Sequence, residues 1–175
     1  MMIRVQTGPV GEVQAEAYLR SISSELEADT PLSRDLERAA GPGVAERLQA
    51  MGELPVGAAV ITPGGDIRAG FLIHVVLQSA EEPVSPTSVR TALQNGLRRA
   101  GEWGLRSLAL PPLGTGAGNL DPQESAEVMA SVLVEFVAAG DPPPEITVVV
   151  GEGYEEEGFA RAVELAQATA SARDS

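Results

Sequence analysis

Apolar residues fall along the chain in two spacings. Short, mostly apolar runs at "MIRVQ" (2–6), "GAAVITP" (57–63), "FLIHVVLQ" (71–78), "SLAL" (107–110) and "EITVVVG" (145–151) have the length and density of strands covered on both faces. Between them apolar positions recur at helical spacing: Leu36, Ala40, Val44, Leu48 and Met51; then Val89, Leu93, Leu97 and Ala100; then Ala126, Met129, Leu133 and Phe136; and last Phe159, Ala162, Val163 and Ala166. "GPG" at 41–43 should divide or kink the first of these segments, and "GGD" at 64–66 marks a turn between two strands. Ser85 followed by Pro86 reads as a helix start. So does Asp121 followed by Pro122, with Glu124 three residues on, and Gly140 reads as the stop. "DPPP" (141–144) is a linker of one turn. Residues 14–32 admit two readings, a helix through Leu26 or a strand over the alternating "AYLRSIS".

From residue 86 onward the order helix, strand, helix, strand, helix predicts parallel strands with right-handed crossovers. Helices on both faces would make a three-layer α/β/α sandwich with a mixed, mostly parallel sheet. A length of 175 residues with 43% hydrophobic content suits one domain spanning 1–175.

Charge and composition narrow the function. A net charge of −13 opposes nucleic acid, whose phosphates would meet a repelling field. No apolar run approaches the ~18 residues of a membrane span, and "MMIRVQTGPVG" turns to glycine and proline before any signal-like core develops, so the expected location is cytoplasmic. All twelve basic residues are Arg, which excludes a lysine phosphate loop, Schiff-base chemistry and a lysine base. The lack of Cys excludes thiolate chemistry and disulfides. No pattern calls for a resident cofactor. The acidic runs "EEPV" and "YEEEG" read as solvated helix starts rather than a metal site.

The segment with chemistry is "PPLGTGAGNLDP" (111–122), set between the strand "SLAL" and the helix capped by Asp121. Ligands of open α/β sheets collect beyond the carboxyl ends of strands, where such loops meet helix N-termini. Gly114, Gly116 and Gly118 let the backbone take positive φ and turn several N–H groups toward one point, a nest that can hold an anion such as phosphate without lysine. His74, the one histidine, lies inside "FLIHVV" and reads as a satisfied interior residue. Trp103, near a helix end, reads as packing.

This order of elements resembles the macro domain, an ADP-ribose-binding α/β/α fold. "LALPPLGTGAGNLDPQESAEVM" is similar to that family's strand, glycine loop and helix. "RDLERAAGPGVAERLQAMGELPVGAAVITPGGDIRAGFLIHVV" is similar to its helix ending in Ala-Ala-Gly, its "P-x-G-x-A-x-I-T" strand and its "I-H" strand. The resemblance implies that Gly114, Thr115, Gly116, Ala117 and Gly118 supply N–H groups to phosphate and that Asn119 reaches a ribose hydroxyl. It also implies that Val10 and Tyr154 line a base pocket.

Three family features are altered. Gly8, Pro9 and Val10 replace the "G-D-I" whose acid binds adenine. "RSIS" (20–23) replaces "N-A-A-N", leaving Ser23 with one hydroxyl where an amide would offer a separate donor and acceptor. "ADTPLS" (28–33) replaces a glycine run, so Asp29 and Pro31 bring charge and rigidity to a phosphate-facing turn. Each lost charge-assisted hydrogen bond costs about 1.5–3 kcal/mol. The resemblance thus implies a binding module for ADP-ribose, a related phosphate-bearing nucleotide or an ADP-ribosylated protein, with a partly altered site. Two alternatives stand beside it: an ADP-ribosyl hydrolase with a non-standard catalytic group, for which Asp35 is the leading acid, and a fold kept for protein interaction.

Overall fold

The computed structural model describes residues 2–116, 119–140, 143 and 145–174. The chain runs β1 (Met2–Thr7), a 3-10 turn (Val10–Glu12), β2 (Ala17–Ser23), α1 (Pro31–Ala40), α2 (Pro42–Gln49), β3 (Ala59–Pro63) and β4 (Phe71–Gln78). It continues through α3 (Pro86–Glu102), β5 (Ser107–Leu110), α4 (Pro122–Ala138), β6 (Glu145–Val150) and α5 (Gly153–Asp174). Of the expected 141–144 linker only Pro143 is among the described residues.

The strands form one sheet in the order β1-β6-β5-β2-β4-β3, parallel except where β3 runs antiparallel to β4. This is the expected mixed, mostly parallel α/β/α architecture. The ambiguous stretch 14–32 holds a strand, β2, near the middle of the sheet, and Ala17 to Ile22 are all buried. Pairing on both edges decided between the two readings, because only an extended backbone bonds β4 on one side and β5 on the other.

Helices cover both faces, but α3, α4 and α5 of the second half share one face, and α1 and α2 cover the other. The expected division of the first helical segment occurs at Gly41, whose φ of 95° ends α1 and starts α2. Leu36, Ala40, Val44 and Leu48 are buried, whereas Met51 lies past α2 and is exposed. Ser85 caps α3 in a reciprocal box with Ser88. Asp121 caps α4 through the Gln123 N–H at 2.8 Å, not in a box with Glu124. Trp103 is largely exposed but tilts against Phe71, with ring centroids 5.4 Å apart.

Helix α3 approaches the sheet at Gly96. A Cβ there would lie 2.9 Å from Leu19 Cδ1 and 3.0 Å from Val75 Cγ1, so the missing side chain sets the spacing between helix and sheet. Gly96→Leu should therefore lower unfolding free energy by about 1–3 kcal/mol, the usual cost of overpacking, as read in urea denaturation.

On the α1 face the middle of the sheet is polar. Arg20 of β2 and His74 of β4 are register partners, both fully buried, and Arg20 Nε donates to His74 Nδ1 at 2.9 Å. An arginine Nε–H can only donate, so Nδ1 is the imidazole acceptor and the ring proton sits on Nε2, facing Thr62 Oγ1 of β3 at 2.9 Å. The Thr62 hydroxyl then donates to the Pro63 carbonyl at 3.0 Å. The expectation of a satisfied interior histidine holds.

Burial, and secondarily the Arg20 charge, depress the His74 pKa to about 3, so the ring is neutral in the folded protein. In the unfolded chain it titrates near 6.5. Between these two values the unfolded state binds the extra proton, so this group makes stability fall as pH falls, by about 1.4 kcal/mol per pH unit once well below 6.5. Chemical denaturation at pH 7 and pH 4.5 should show a steeper loss in the wild type than in His74→Gln, which has no proton to take up.

Candidate functional site

β2 and β5 are clasped at one end and open at the other. At the clasped end the Glu16 N–H donates to Ser107 Oγ at 2.9 Å, and Glu16 Oε2 accepts from the Arg106 N–H at 2.9 Å. The strands then pair only at Ala17–Leu108 and Tyr18–Ala109. β2 continues along β4, while β5 runs into Pro111 and Pro112, which have no N–H with which to extend a ladder. The chain leaves β2 toward β4 on one side and β5 toward β6 on the other, so the gap between them is the topological switch point of the sheet.

A cavity of about 660 Å³ fills this gap. Its floor is Arg20 and Ser21, and one wall is the turn into α1, residues 29–33. The opposite wall is Pro111, Pro112, Thr115, Gly116 and Asn119, and Gly8, Val149, Gly151 and Glu155 complete the lining. The glycine loop folds on itself through Leu120 N–H to Gly114 C=O (3.0 Å) and Asn119 N–H to Gly116 C=O (3.1 Å). It is fixed to α4 by the Ser125 hydroxyl, which donates to the Leu113 carbonyl at 2.6 Å.

The two described loop glycines with positive φ do different work. At Gly114 (φ 78°) a Cβ would come within 2.8 Å of Val89 Cγ2 and 2.9 Å of Val84 Cγ1, so this glycine lets the loop pack on α3. At Gly116 (φ 123°) a Cβ would meet only Asn119 Nδ2 at 3.8 Å, and the bare backbone faces the cavity. Of the residues expected here, Thr115, Gly116 and Asn119 line the cavity and Gly114 supports them from behind. Ala117 and Gly118 lie outside the described residues.

Three other expected residues sit elsewhere. Val10 is 1% exposed and packs with Tyr18 and Leu36, so the wall at that end is Gly8 and Val149 instead. Ser23 is half-buried, and its Oγ faces the Glu27 N–H at 3.4 Å; the register shift between Ile22 and Ser23 and the turn at 24–30 leave Ser21, not Ser23, on the cavity. Tyr154 is 74% exposed and borders an adjoining depression of about 270 Å³ that shares Pro112 and Glu155 with the main cavity. Asp35 is exposed beside Arg38 at 3.8 Å and does not reach the cavity, because its helical position turns it to solvent.

The ionisable groups that do reach it are Asp29, Glu155 and Arg20. Asp29 Oδ1 accepts from the Ser21 hydroxyl at 2.6 Å, and Oδ2 has only a long contact, 3.5 Å, from the Gln78 amide. Burial raises its pKa, opposed by the Ser21 and Gln78 hydrogen bonds and more weakly by the Arg20 charge. Arg20 Nη1 donates to the Ser33 carbonyl and hydroxyl, both at 3.3 Å, and the Ser33 hydroxyl donates in turn to the Ser21 carbonyl. Nη2 has no hydrogen-bond partner and lies 3.7 Å from Glu37 Oε1. Burial lowers the Arg20 pKa, and Glu37 and Asp29 oppose that shift. Arg20 and Ser33 were not singled out in the sequence. A lone charge inside the alternating "AYLRSIS" was the available signal, since a strand buried on both faces leaves that charge no route to water. Among the described residues no group of three or more His, Asp and Glu could hold a metal ion, and no helix is long and apolar enough to cross a membrane.

Comparison with known proteins agrees with this architecture. The chain is 33% identical over 138 residues to an uncharacterised protein of Aeropyrum pernix, spanning 75% of this chain and 72% of that one. It is 26% identical to a Klebsiella pneumoniae protein named O-acetyl-ADP-ribose deacetylase, over 81% of this chain and 85% of that one. A mutant Oceanobacillus iheyensis macrodomain, solved with ADPR, superposes with a TM-score of 0.82 at 18% identity, covering 92% of this chain and 91% of that one. The family model described as Macro domain matches residues 21–129. With that match over more than half of its length, the chain belongs to the macro domain family.

Proposed function

We propose that this chain is a binding module for ADP-ribose or a closely related phosphate-bearing nucleotide, free or attached to a protein. One observation carries the reading: the Thr115–Gly116 backbone and Asn119 form one wall of a 660 Å³ cavity at the switch point of the sheet. That volume lies within the roughly 300–1,000 Å³ typical of small-molecule sites. The solved structure with ADPR and the relative named O-acetyl-ADP-ribose deacetylase support the ligand class.

In this reading the loop backbone, with no Cβ at Gly116, approaches the phosphates, and Asn119 takes a ribose hydroxyl. The base lies toward Gly8, Val149 and Gly151, with Tyr154 at the outer rim. Hydrolysis is a second reading with a specific support, the cavity carboxyl of Asp29, which replaces Asp35 as the acid such chemistry would use.

Calorimetry with ADP-ribose tests the proposal, and Gly116→Glu should weaken binding at least tenfold. A non-glycine residue at φ 123° costs about 1–3 kcal/mol, but the Cβ meets nothing closer than 3.8 Å, so the variant remains folded. Gly114→Ala should show the reverse balance: a larger fall in Tm, because its Cβ drives into Val84 and Val89, and a smaller direct effect on the ligand. Gly116→Glu that is folded and binds like the wild type would contradict the proposal.

A further inference from the structure

The depression beside the cleft has a chemistry of its own. It lies between the first turns of α4 and α5, over the end of β6, and encloses about 270 Å³. Phe159, Val150 and Ala126, all buried, give it an apolar floor, and Pro112, Pro122 and Tyr154 stand around that floor as flat walls. Small-molecule sites run to roughly 300–1,000 Å³, so this space suits one ring rather than a whole nucleotide.

Its polar edge consists mainly of acceptors. The Glu155 carboxylate takes no hydrogen bond from the described residues, whereas its neighbour Glu156 is held by the Thr7 hydroxyl at 2.6 Å. Gln123 donates its side-chain N–H to Glu127 at 3.1 Å, which leaves its amide oxygen on the side of Gly158. Asp121 spends one oxygen on the Gln123 backbone N–H, and no arginine lines the depression. Glu155 also joins the two spaces: it lines both, and its Oε1 lies 3.9 Å from where a Cβ on Gly151 of the cleft would stand.

We infer that this depression is a second ligand subsite, for a flat apolar ring that carries an N–H or ammonium donor. The ring buries its faces against Phe159 and the prolines and its donor meets Glu155, whereas an anionic ring meets carboxylates with no cation to offset them. Two sources supply that chemistry: a substituent on the base of the nucleotide, passing Glu155 from the base end of the cleft, or a separate molecule bound beside it. The first source rests on the nucleotide-binding reading above, while the subsite stands on its own lining.

Gly158 supplies the variant that tests it. This glycine borders the depression but not the cleft, its φ is not positive, and a Cβ there would meet only Gln123 Oε1 at 3.7 Å, so Gly158→Leu should fold and push its branched end into the space. Gly158→Ala adds the Cβ alone as a control, and Gly158→Met blocks with a more flexible side chain if thermal denaturation shows the leucine variant unfolded. Calorimetry compares ADP-ribose with N6-benzyl-ADP-ribose, and an amide-resolved NMR titration follows millimolar benzylamine and benzoate without nucleotide. If the ring belongs to the base, the wild type and Gly158→Ala should bind the benzyl compound about tenfold tighter than ADP-ribose, the order expected for burying one ring. If it is a separate molecule, benzylamine and not benzoate should give saturable shifts at Gln123, Ala126, Gly158 and Phe159. Either signal should vanish in the blocked variant, while its affinity for ADP-ribose stays within about twofold of the wild type, as for independent sites. A wild type that shows neither signal, a folded blocked variant that keeps it, or benzoate binding as well as benzylamine would overturn the inference. Benzylamine binding that the block removes, in a chain that does not bind ADP-ribose, would end the nucleotide reading and uphold the subsite.

Discussion

An arginine with no access to solvent lies in the middle of the sheet, and the geometry of the site end follows from how its charge is held. Arg20 cannot be neutralised in the interior as a carboxyl or an imidazole can, so Nε and Nη1 are met by hydrogen bonds where they are, while Nη2 has only the Glu37 carboxylate at 3.7 Å. Its Nε fixes the His74 tautomer and, through it, Thr62 of β3; its Nη1 fixes Ser33 in the first turn of α1. One side chain therefore ties β2, β4, β3 and α1 together directly beneath the cavity. Ser33 passes the constraint back to β2 through the Ser21 carbonyl, and the Ser21 hydroxyl orients Asp29. The α1 wall of the cavity is thus held by polar contacts to the floor rather than by apolar packing alone.

The facing wall is built on a different principle. It carries almost no side-chain chemistry and depends on backbone shape: two prolines that end β5, a glycine that packs where no Cβ fits, and a glycine that leaves the cavity open. Clasping β2 to β5 at Glu16 and letting them part after two register pairs places this bare backbone opposite Asp29. A polar, charged wall and a side-chain-poor wall make an asymmetric cleft.

How much of this could be read from the sequence depended on whether the signal was local. Helix starts at Ser85 and Asp121, the break at Gly41 and the strands announce themselves within a few residues, and the structure has them at those places, although β1, read as covered on both faces, is an edge strand with Met2, Arg4, Gln6 and Thr7 exposed. The β2 strand was ambiguous because its pattern satisfies either period, and only pairing with both β4 and β5 decides it. The glycine loop was legible because glycine spacing between a strand and a capped helix has a direct backbone meaning. Val10 and Ser23 were less so. A family position fixes a place along the chain, but which residue faces the cavity depends on local irregularities such as the register shift at Ile22–Ser23 and on the local turn, and here Gly8 and Ser21 face it. Arg20 was hidden for a related reason: its role comes from His74, 54 residues away in sequence, and from α1 folding over it.

The central claim is that a nucleotide diphosphate sits against the Thr115–Gly116–Asn119 wall, between it and the turn into α1. The most direct measurement is an amide-resolved NMR titration of the ¹⁵N-labelled chain with ADP-ribose. Saturable shifts should be concentrated at Thr115, Gly116, Asn119, Ser21, Thr30, Leu32, Ser33 and Gly151, with the distant Arg47, Met51 and Trp103 amides unmoved. Unchanged amides around Gly116 at millimolar ligand, or saturable shifts confined to the far end of the sheet, would contradict the account.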